Sequence, residues 1–286
     1  MKGPTTPLVA RLISATLFGV AALVSASHSY AQPIALHDGN ANAIIQVNSS
    51  AGMSQWTVDN VNQLSQQWFW YRIGSGATTP EQSINSISPA AVTLTGTSGL
   101  SSRYANNQLA VTVDYLLTGG APGSGQSSMN ETLRIQNLSG TALDLHFFQY
   151  SDFDLAGTTG GDNVQLARAS SGPSVGLFNE ALQTKGSITL SEIISDSTLT
   201  PGANHGEAAL FSATLNRLND GVPTTLNDVT SAGPGDVTWA FEWDRLLAPG
   251  DTLEISKVKG LQVPEPSTLA LLALGVVACA LRKRRS

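Results

Sequence analysis

The sequence ETLRIQNLSGTALDLHFFQY, residues 131–150, decides the fold. Apolar side chains recur at every second position on both sides of a polar turn, at Leu133 and Ile135 before it and at Leu143, Leu145 and Phe147 after it. A period of two is typical of strands that bury one face. The residues between the two runs, Asn137 to Gly140, suit a reversal of the chain. The stretch therefore predicts a β-hairpin.

The same alternation extends through residues 32–262. Apolar runs punctuated by Gly, Ser, Asn, Thr and Pro predict further strands at 43–47, 66–74, 91–97, 109–117, 163–169, 187–192, 207–215, 237–243 and 251–259. Helical periodicity is limited to a short stretch near Ala213 to Asp220. We predict an all-β fold, an antiparallel β-sandwich with 109–117 and 131–150 among its central strands. Two small β domains are the alternative.

The charge of residues 32–262 limits their partners. Six of the 15 Lys and Arg and one of the 21 Asp and Glu lie in the terminal segments, which leaves nine basic and twenty acidic side chains, a net charge of −11. Nucleic acid is a poor partner for such a surface, whereas divalent cations and neutral or basic polymers are compatible with it. The single cysteine, Cys279, lies near the C-terminus, which excludes disulfides and cysteine-ligated zinc in this part of the chain.

Both ends of the chain have the composition of targeting segments. Lys2 and Arg11 precede an apolar run and then Ser29-Tyr30-Ala31, which predicts a signal peptide over residues 1–31, with cleavage after Ala26 as the second choice. Near the C-terminus, the 13 uncharged residues Leu269 to Leu281 precede a basic end of Arg282, Lys283, Arg284 and Arg285. An apolar run with this basic flank predicts a single transmembrane helix with a cytoplasmic C-terminus.

Residues 263–286 resemble the PEP-CTERM sorting signal. They contain its three parts in order: Val263-Pro264-Glu265-Pro266-Ser267, a short hydrophobic helix and the basic end. The resemblance implies an exported protein of an exopolysaccharide-producing bacterium. It further implies that an exosortase-type enzyme recognises Pro264, Glu265 and Pro266 and processes the tail after a transient stay in the inner membrane. Such tails are also named after the C-terminal region of ice-binding proteins, a name that says nothing about the rest of the chain.

Acidic residues group after the second strand of the opening stretch. Asp152, Asp154 and Asp162, with Asn163 beside them, supply oxygen ligands at a spacing that suits Ca²⁺ better than zinc. The alternative is a solvated, turn-rich strand exit with no cofactor. The histidines of this part of the chain, His37, His146 and His205, lie far apart in sequence and predict no metal triad.

Two further motifs suggest other functions. The run WFWYR, residues 68–72, makes Trp68 and Trp70 candidates for stacking on a sugar, with core packing as the alternative. The sequence GPSVG, residues 172–176, puts Ser174 in the place of a hydrolase nucleophile, with Asp196 and His205 downstream, but no helix follows Ser174 as that motif requires.

Together these features favour a non-enzymatic exported protein of the cell surface or extracellular matrix. Its expected partners are an exosortase-type enzyme, the inner membrane through the tail, and extracellular polysaccharide. A carbohydrate-binding module is the alternative, and a serine hydrolase a remote one.

Overall fold

Two antiparallel sheets face each other in the computed structural model, which describes residues 32–76 and 79–264. The first sheet contains β1 (Ile34–Asp38), β2 (Ala41–Gln46), β3 (Gly52–Val58), β4 (Val61–Asn62), β5 (Gln66–Ile73), β6 (Gln82–Ser83), β11 (Leu143–Asp152), β15 (His205–Leu210) and β17 (Val237–Leu247). The second contains β7 (Ala91–Thr95), β8 (Gly99–Ala105), β9 (Leu109–Gly119), β10 (Gln126–Asn137), β12 (Asp162–Arg168), β13 (Phe178–Lys185), β14 (Ile188–Ile194), β16 (Ser231–Gly235) and β18 (Thr252–Gln262). The helix α1 covers Ala213–Arg217.

The strand order shows which elements lie at the centre of each sheet. The first sheet runs β1-β2-β3-β5-β11-β17-β15, with β4 paired to β3 and β6 paired to β5. The second runs β16-β12-β13-β14-β18-β10-β9-β8-β7. Among the described strands only β3 and β5 pair in parallel. The all-β prediction is confirmed.

The predicted hairpin is wrong, although both of its strands exist. β10 pairs with β9 and β18 in the second sheet, while β11 pairs with β5 and β17 in the first. The turn between them therefore carries the chain from one sheet to the other. Asn137 holds this turn, because its buried amide Nδ2 donates to the carbonyl oxygens of Thr141 at 2.8 Å and Leu247 at 2.9 Å.

Aromatic rings fill much of the space between the sheets. All five tryptophans are buried. Ring contacts with centroids 5.6 to 6.4 Å apart form a continuous row through Phe69, Phe147, Trp243, Phe241, Trp239, Phe153 and Trp56. The large apolar area of these rings and their offset or edge contacts stabilise the core.

Four charged side chains of the second sheet also point into the core. Lys257 Nζ lies 2.5 Å from a carboxylate oxygen of Glu131, and Lys259 Nζ lies 2.7 Å from Glu131 and 3.1 Å from Glu192. All four side chains are fully buried. We call these residues the buried ion network. Burial lowers the pKa of Lys257 to about 8, whereas the two lysines hold the pKa of Glu131 below its usual value despite burial. Two cations and two anions keep the network neutral.

No helix among the described residues has the length and apolar character that crossing a membrane requires. The predicted signal peptide and the tail from Glu265 onward, including the basic end, lie outside the described residues.

Candidate functional site

Histidine and carboxylate side chains meet on the face of the first sheet that points away from the second sheet. Strand pairing aligns Arg72, His146 and Asp244 in one row across β5, β11 and β17. The next row places His205 of β15 beside Glu242 of β17. Paired residues share a face of the sheet, so residues distant in sequence form one group. We call His146, His205, Glu242 and Asp244 the histidine–carboxylate cluster.

His146 lies at the centre of this cluster. Its Nδ1 is 2.5 Å from Asp244 Oδ1 and 3.5 Å from Glu242 Oε1, and its Nε2 is 3.7 Å from Asp144 Oδ1. Contact first with Asp244 and then with Glu242 raises the pKa of His146 to about 9. His146 is therefore a cation at neutral pH.

The two carboxylates differ in environment. Burial raises the pKa of Glu242, which is fully buried and accepts a hydrogen bond at 2.8 Å from the backbone N–H of Leu226. Burial also acts on Asp244, but contact with His146 outweighs it and lowers the pKa of that carboxyl. Two neighbouring carboxylates with pKa values displaced in opposite directions are typical of acid–base sites.

One side of the cluster is open to solvent. The side chains of Asp244, His205 and Asp228 are 28%, 32% and 40% exposed. His205 Nδ1 lies 3.1 Å from Asp228 Oδ1, and its Nε2 lies 3.6 Å from Asp244 Oδ2. A ligand can reach these three side chains, while His146 and Glu242 lie behind them.

The covered side of the cluster is held by a buried ion pair. Arg72 Nε lies 2.9 Å from Glu81 Oε1, and Arg72 Nη2 donates to the carbonyl of Thr224 at 3.1 Å. The backbone N–H of Thr224 donates to the same Glu81 oxygen at 2.8 Å. These bonds fix the segment around Thr224 over Glu242 and limit water access to it.

The structure brings two of the three predicted calcium ligands together and replaces the third. Asp152, Asp154 and Asp236 each offer an oxygen within 4.8 Å of the other two. Asp162 instead lies 3.2 Å from Lys185 Nζ, and its other oxygen accepts a hydrogen bond from Gln183 at 2.9 Å. The prediction that included Asp162 needs this correction, because Lys185 already neutralises that carboxylate.

Trp68 and Trp70 have no ring surface for a sugar. They are 0% and 1% exposed. Trp68 Nε1 donates to Ser83 Oγ at 2.8 Å, and Trp70 Nε1 donates to Asn219 Oδ1 at 3.2 Å. Trp68 packs against the ring of Tyr104 and Trp70 against the ring of Tyr150. Both tryptophans therefore have a packing role and do not stack on a sugar.

Ser174 does not have the geometry of a nucleophile. Its side chain is fully buried, and its Oγ accepts a hydrogen bond at 2.8 Å from the backbone N–H of Gly202. Asp196 binds the backbone N–H of Ser174 at 2.9 Å, and His205 contacts Asp228 and Asp244. No hydrogen bond between Ser174 and His205 occurs in the described structure, so the elements of a triad are not assembled.

The C-terminal match identifies how the chain is sorted. Residues 262–285 match the family model described as the PEP-CTERM protein-sorting motif. The chain carries a PEP-CTERM sorting signal. The predicted resemblance of residues 263–286 to the PEP-CTERM sorting signal is thereby confirmed, and the signal supports export and processing by an exosortase-type enzyme. Comparison with curated protein sequences finds no match.

Solved structures similar to this protein include a glucoamylase and a galactose mutarotase-like protein. A bacterial glucoamylase complexed with acarbose has a TM-score of 0.56 at 12% identity. The match covers 83% of this chain and 32% of the glucoamylase chain. The Slr1438 protein of Synechocystis sp. PCC 6803 has a TM-score of 0.53 at 11% identity, with 82% of this chain and 96% of that chain covered. A galactose mutarotase-like protein of Lactobacillus casei ATCC 334 has a TM-score of 0.48 at 10% identity, with 81% and 100% covered.

The likeness to the glucoamylase corrects the prediction that the protein is not an enzyme. That prediction rested on finding no catalytic motif in the sequence, but the fold also occurs in a carbohydrate-active enzyme. The chain spans about a third of the glucoamylase, and at 12% identity the likeness shows the fold alone. The absence of a motif therefore gives no ground for excluding catalysis, since the histidine–carboxylate cluster forms only in three dimensions.

Proposed function

We propose that the protein is an exported carbohydrate-active protein that binds a sugar at the histidine–carboxylate cluster and transfers protons there. The observation that carries the proposal is the convergence of His146, His205, Glu242 and Asp244 from three neighbouring strands. The fold likeness to a glucoamylase supports the substrate class. Acidic side chains accept hydrogen bonds from sugar hydroxyls, and the net charge of residues 32–262 favours a neutral or basic polymer over an acidic one.

The exposed side chains would contact the ligand. Asp244 is ionised at neutral pH and partly exposed, so it supplies a base or an acceptor for a hydroxyl group. His205 lies within 3.6 Å of Asp244 and is the neighbouring group that can donate or accept a proton. His146 and Glu242 act as positioning residues, since they hold Asp244 from behind and are themselves shielded.

We further infer where this chemistry takes place. The sorting signal would hold the protein transiently in the inner membrane until the exosortase-type enzyme removes the tail, after which the protein reaches the cell surface or the extracellular matrix. Polysaccharide is the abundant carbohydrate there in bacteria with this sorting system. The proposed substrate class and the sorting route therefore support each other.

The test measures binding and turnover with one panel of sugars. Neutral, amino and uronic-acid polysaccharides are examined by affinity electrophoresis, and new reducing ends, unsaturated products and exchange between sugar anomers report turnover. We expect Asp244→Asn and His205→Gln to lower turnover at least tenfold with a smaller effect on binding. Asp114→Asn, an exposed ion-pair residue of the second sheet, is the matched control and should leave both unchanged.

Two results would contradict the proposal. Absence of binding to every member of the panel would remove carbohydrate as the ligand class. If the wild type shows no turnover and sugar binding is unchanged in Asp244→Asn and His205→Gln, the histidine–carboxylate cluster does not transfer protons to a bound sugar.

A further inference from the structure

Three acidic side chains meet at the end of β11 and the beginning of β17. Asp152 is the last residue of β11, Asp154 follows two positions later, and Asp236 directly precedes β17. The antiparallel pairing of Asp152 with Thr238 brings these positions together. Each of the three aspartates offers an oxygen within 4.8 Å of the other two. Oxygens bound to one Ca²⁺ at the usual 2.3–2.6 Å are at most about 5 Å apart, so the spacing fits a shared ion.

Buried oxygens without hydrogen-bond partners lie on the same part of the sheet. Asp152 is 3% exposed, and its Oδ1 has no partner among the described residues. The same is true of the hydroxyl oxygens of Tyr150 and Thr238, which lie two residues from Asp152 and opposite it in the strand pairing. Buried polar atoms are nearly always paired. Unpaired oxygens at adjacent positions therefore indicate a ligand that binds oxygen.

The charge of the group indicates that this ligand is a cation. None of the Lys and Arg side chains that the structure describes forms an ion pair with Asp152, Asp154 or Asp236, whereas Lys185 is paired with Asp162. The three carboxylates therefore lie together with no described cation paired to them, and they repel one another. A bound divalent ion reverses this repulsion.

We propose that Asp152, Asp154 and Asp236 bind one calcium ion, with Thr238 and water as further oxygen ligands. The donor set contains carboxylate and hydroxyl oxygens, which exclude a preference for zinc or copper. Its irregular arrangement on two strand ends suits Ca²⁺ better than Mg²⁺, which requires a near-octahedral geometry. A cleft of about 420 Å³ lined by Ser65, Gln66 and Asp152 borders the site on the Asp152 side. This site is independent of the histidine–carboxylate cluster.

Thermal unfolding of the whole protein tests the proposal. After removal of metals with EDTA, Ca²⁺ at a hundredfold excess over its dissociation constant should raise Tm by roughly 5 °C or more, with a much smaller rise for Mg²⁺. Asp152→Asn and Asp236→Asn should abolish the rise while leaving the metal-free protein folded, because each removes a repelling charge. Asp162→Asn should keep the rise, and Asp114→Asn should behave as wild type.

Terbium luminescence provides a second readout that does not depend on the stability of the variants. Tb³⁺ should bind the wild type and be displaced by Ca²⁺, and Asp236→Asn should lose at least tenfold in affinity. The proposal is overturned if Ca²⁺ changes neither Tm nor Tb³⁺ binding, if Mg²⁺ is equally effective, or if Asp236→Asn retains the full response. If Asp162→Asn alone loses the Ca²⁺ response, the proposed set with Asp236 is wrong and the ligands are the predicted Asp152, Asp154 and Asp162.

Discussion

Replacing Lys259 by methionine should destabilise the protein more than almost any other single change in charge. Lys259 is fully buried between Glu131 and Glu192, at 2.7 and 3.1 Å. Its removal leaves two carboxylates facing the single cation of Lys257, so the buried ion network changes from neutral to a net charge of −1. Removing one partner of a buried pair costs about 3–5 kcal/mol of unfolding free energy. We expect a loss of about 4 kcal/mol, a large part of the usual total for a domain.

A double mutant distinguishes a charge effect from the loss of packing. Glu192→Leu alone leaves a net charge of +1 and also removes the hydrogen bonds that Gln149 Nε2 donates to both Glu192 oxygens at 3.0 Å. Glu192→Leu with Lys259→Met restores neutrality, because Lys257 and Glu131 remain paired at 2.5 Å. The double mutant should therefore be more stable than the sum of the single effects predicts, by about 3 kcal/mol.

Urea unfolding followed by tryptophan fluorescence measures these free energies, since all five tryptophans are buried. Arg134→Met is the matched control, because Arg134 also lies between two carboxylates, Asp114 and Glu254, but on the exposed face of the same sheet. It should cost less than about 1 kcal/mol. Additive single effects, or a cost for Lys259→Met no larger than that of Arg134→Met, would refute the charge argument.

Two further predictions concern pH and the sorting signal. Because the pKa of His146 is raised on folding, protonated His146 stabilises the folded protein fully below its unfolded pKa near 6.5, and this stabilisation should disappear as the pH rises through about 9. It amounts to at most about 3 kcal/mol before solvent screening reduces it. Urea unfolding across pH 6 to 10 should show a fall in unfolding free energy that His146→Gln removes, and an unchanged fall in that variant would contradict the assignment. Alanine at Pro264, Glu265 and Pro266 should leave export intact and block removal of the tail, so intact-mass analysis should find Arg282 to Ser286 in the variant and not in the wild type.

The strands could be predicted from the sequence, but their partners could not. Residues 109–117, 131–137 and 143–150 alternate with a period of two, and all lie in strands. The turn after Asn137 fits a hairpin within one sheet and a crossing between two sheets equally well, because both place the apolar face of each strand in the core. The strand partners distinguish the two, and like the bond from Asn137 to the carbonyl of Leu247 they join residues that are distant in sequence.

The candidate sites show the same limit. Asp152 and Asp154 stand out as neighbours in the sequence, but Asp236 joins them only through the pairing of β11 with β17. His146 and His205 carry no sequence spacing that would associate them, and they meet because β15 and β11 flank the same strand. Lys257 and Lys259 did leave a signal, since they continue the inward positions of Leu253 and Ile255. Because buried lysines are rare, this alternation alone does not predict two of them in the core.

The two faces of β11 carry the buried ion network on one side and the two proposed ligand sites on the other. Gln149 points inward and connects this strand to the buried ion network, where no side chain is reached by solvent. His146 and Asp152 point outward, where the histidine–carboxylate cluster and the proposed calcium site border open clefts or exposed side chains. A shift of β11 by one residue would exchange these faces, placing His146 in the aromatic core and Phe147 among carboxylates. Pairing of β11 with β5 and β17 sets the register on which both proposed sites depend. The bond from Asn137 to Leu247 supports this register where β11 begins, so Asn137→Ala should weaken Ca²⁺ binding and sugar binding together although Asn137 contacts neither ligand.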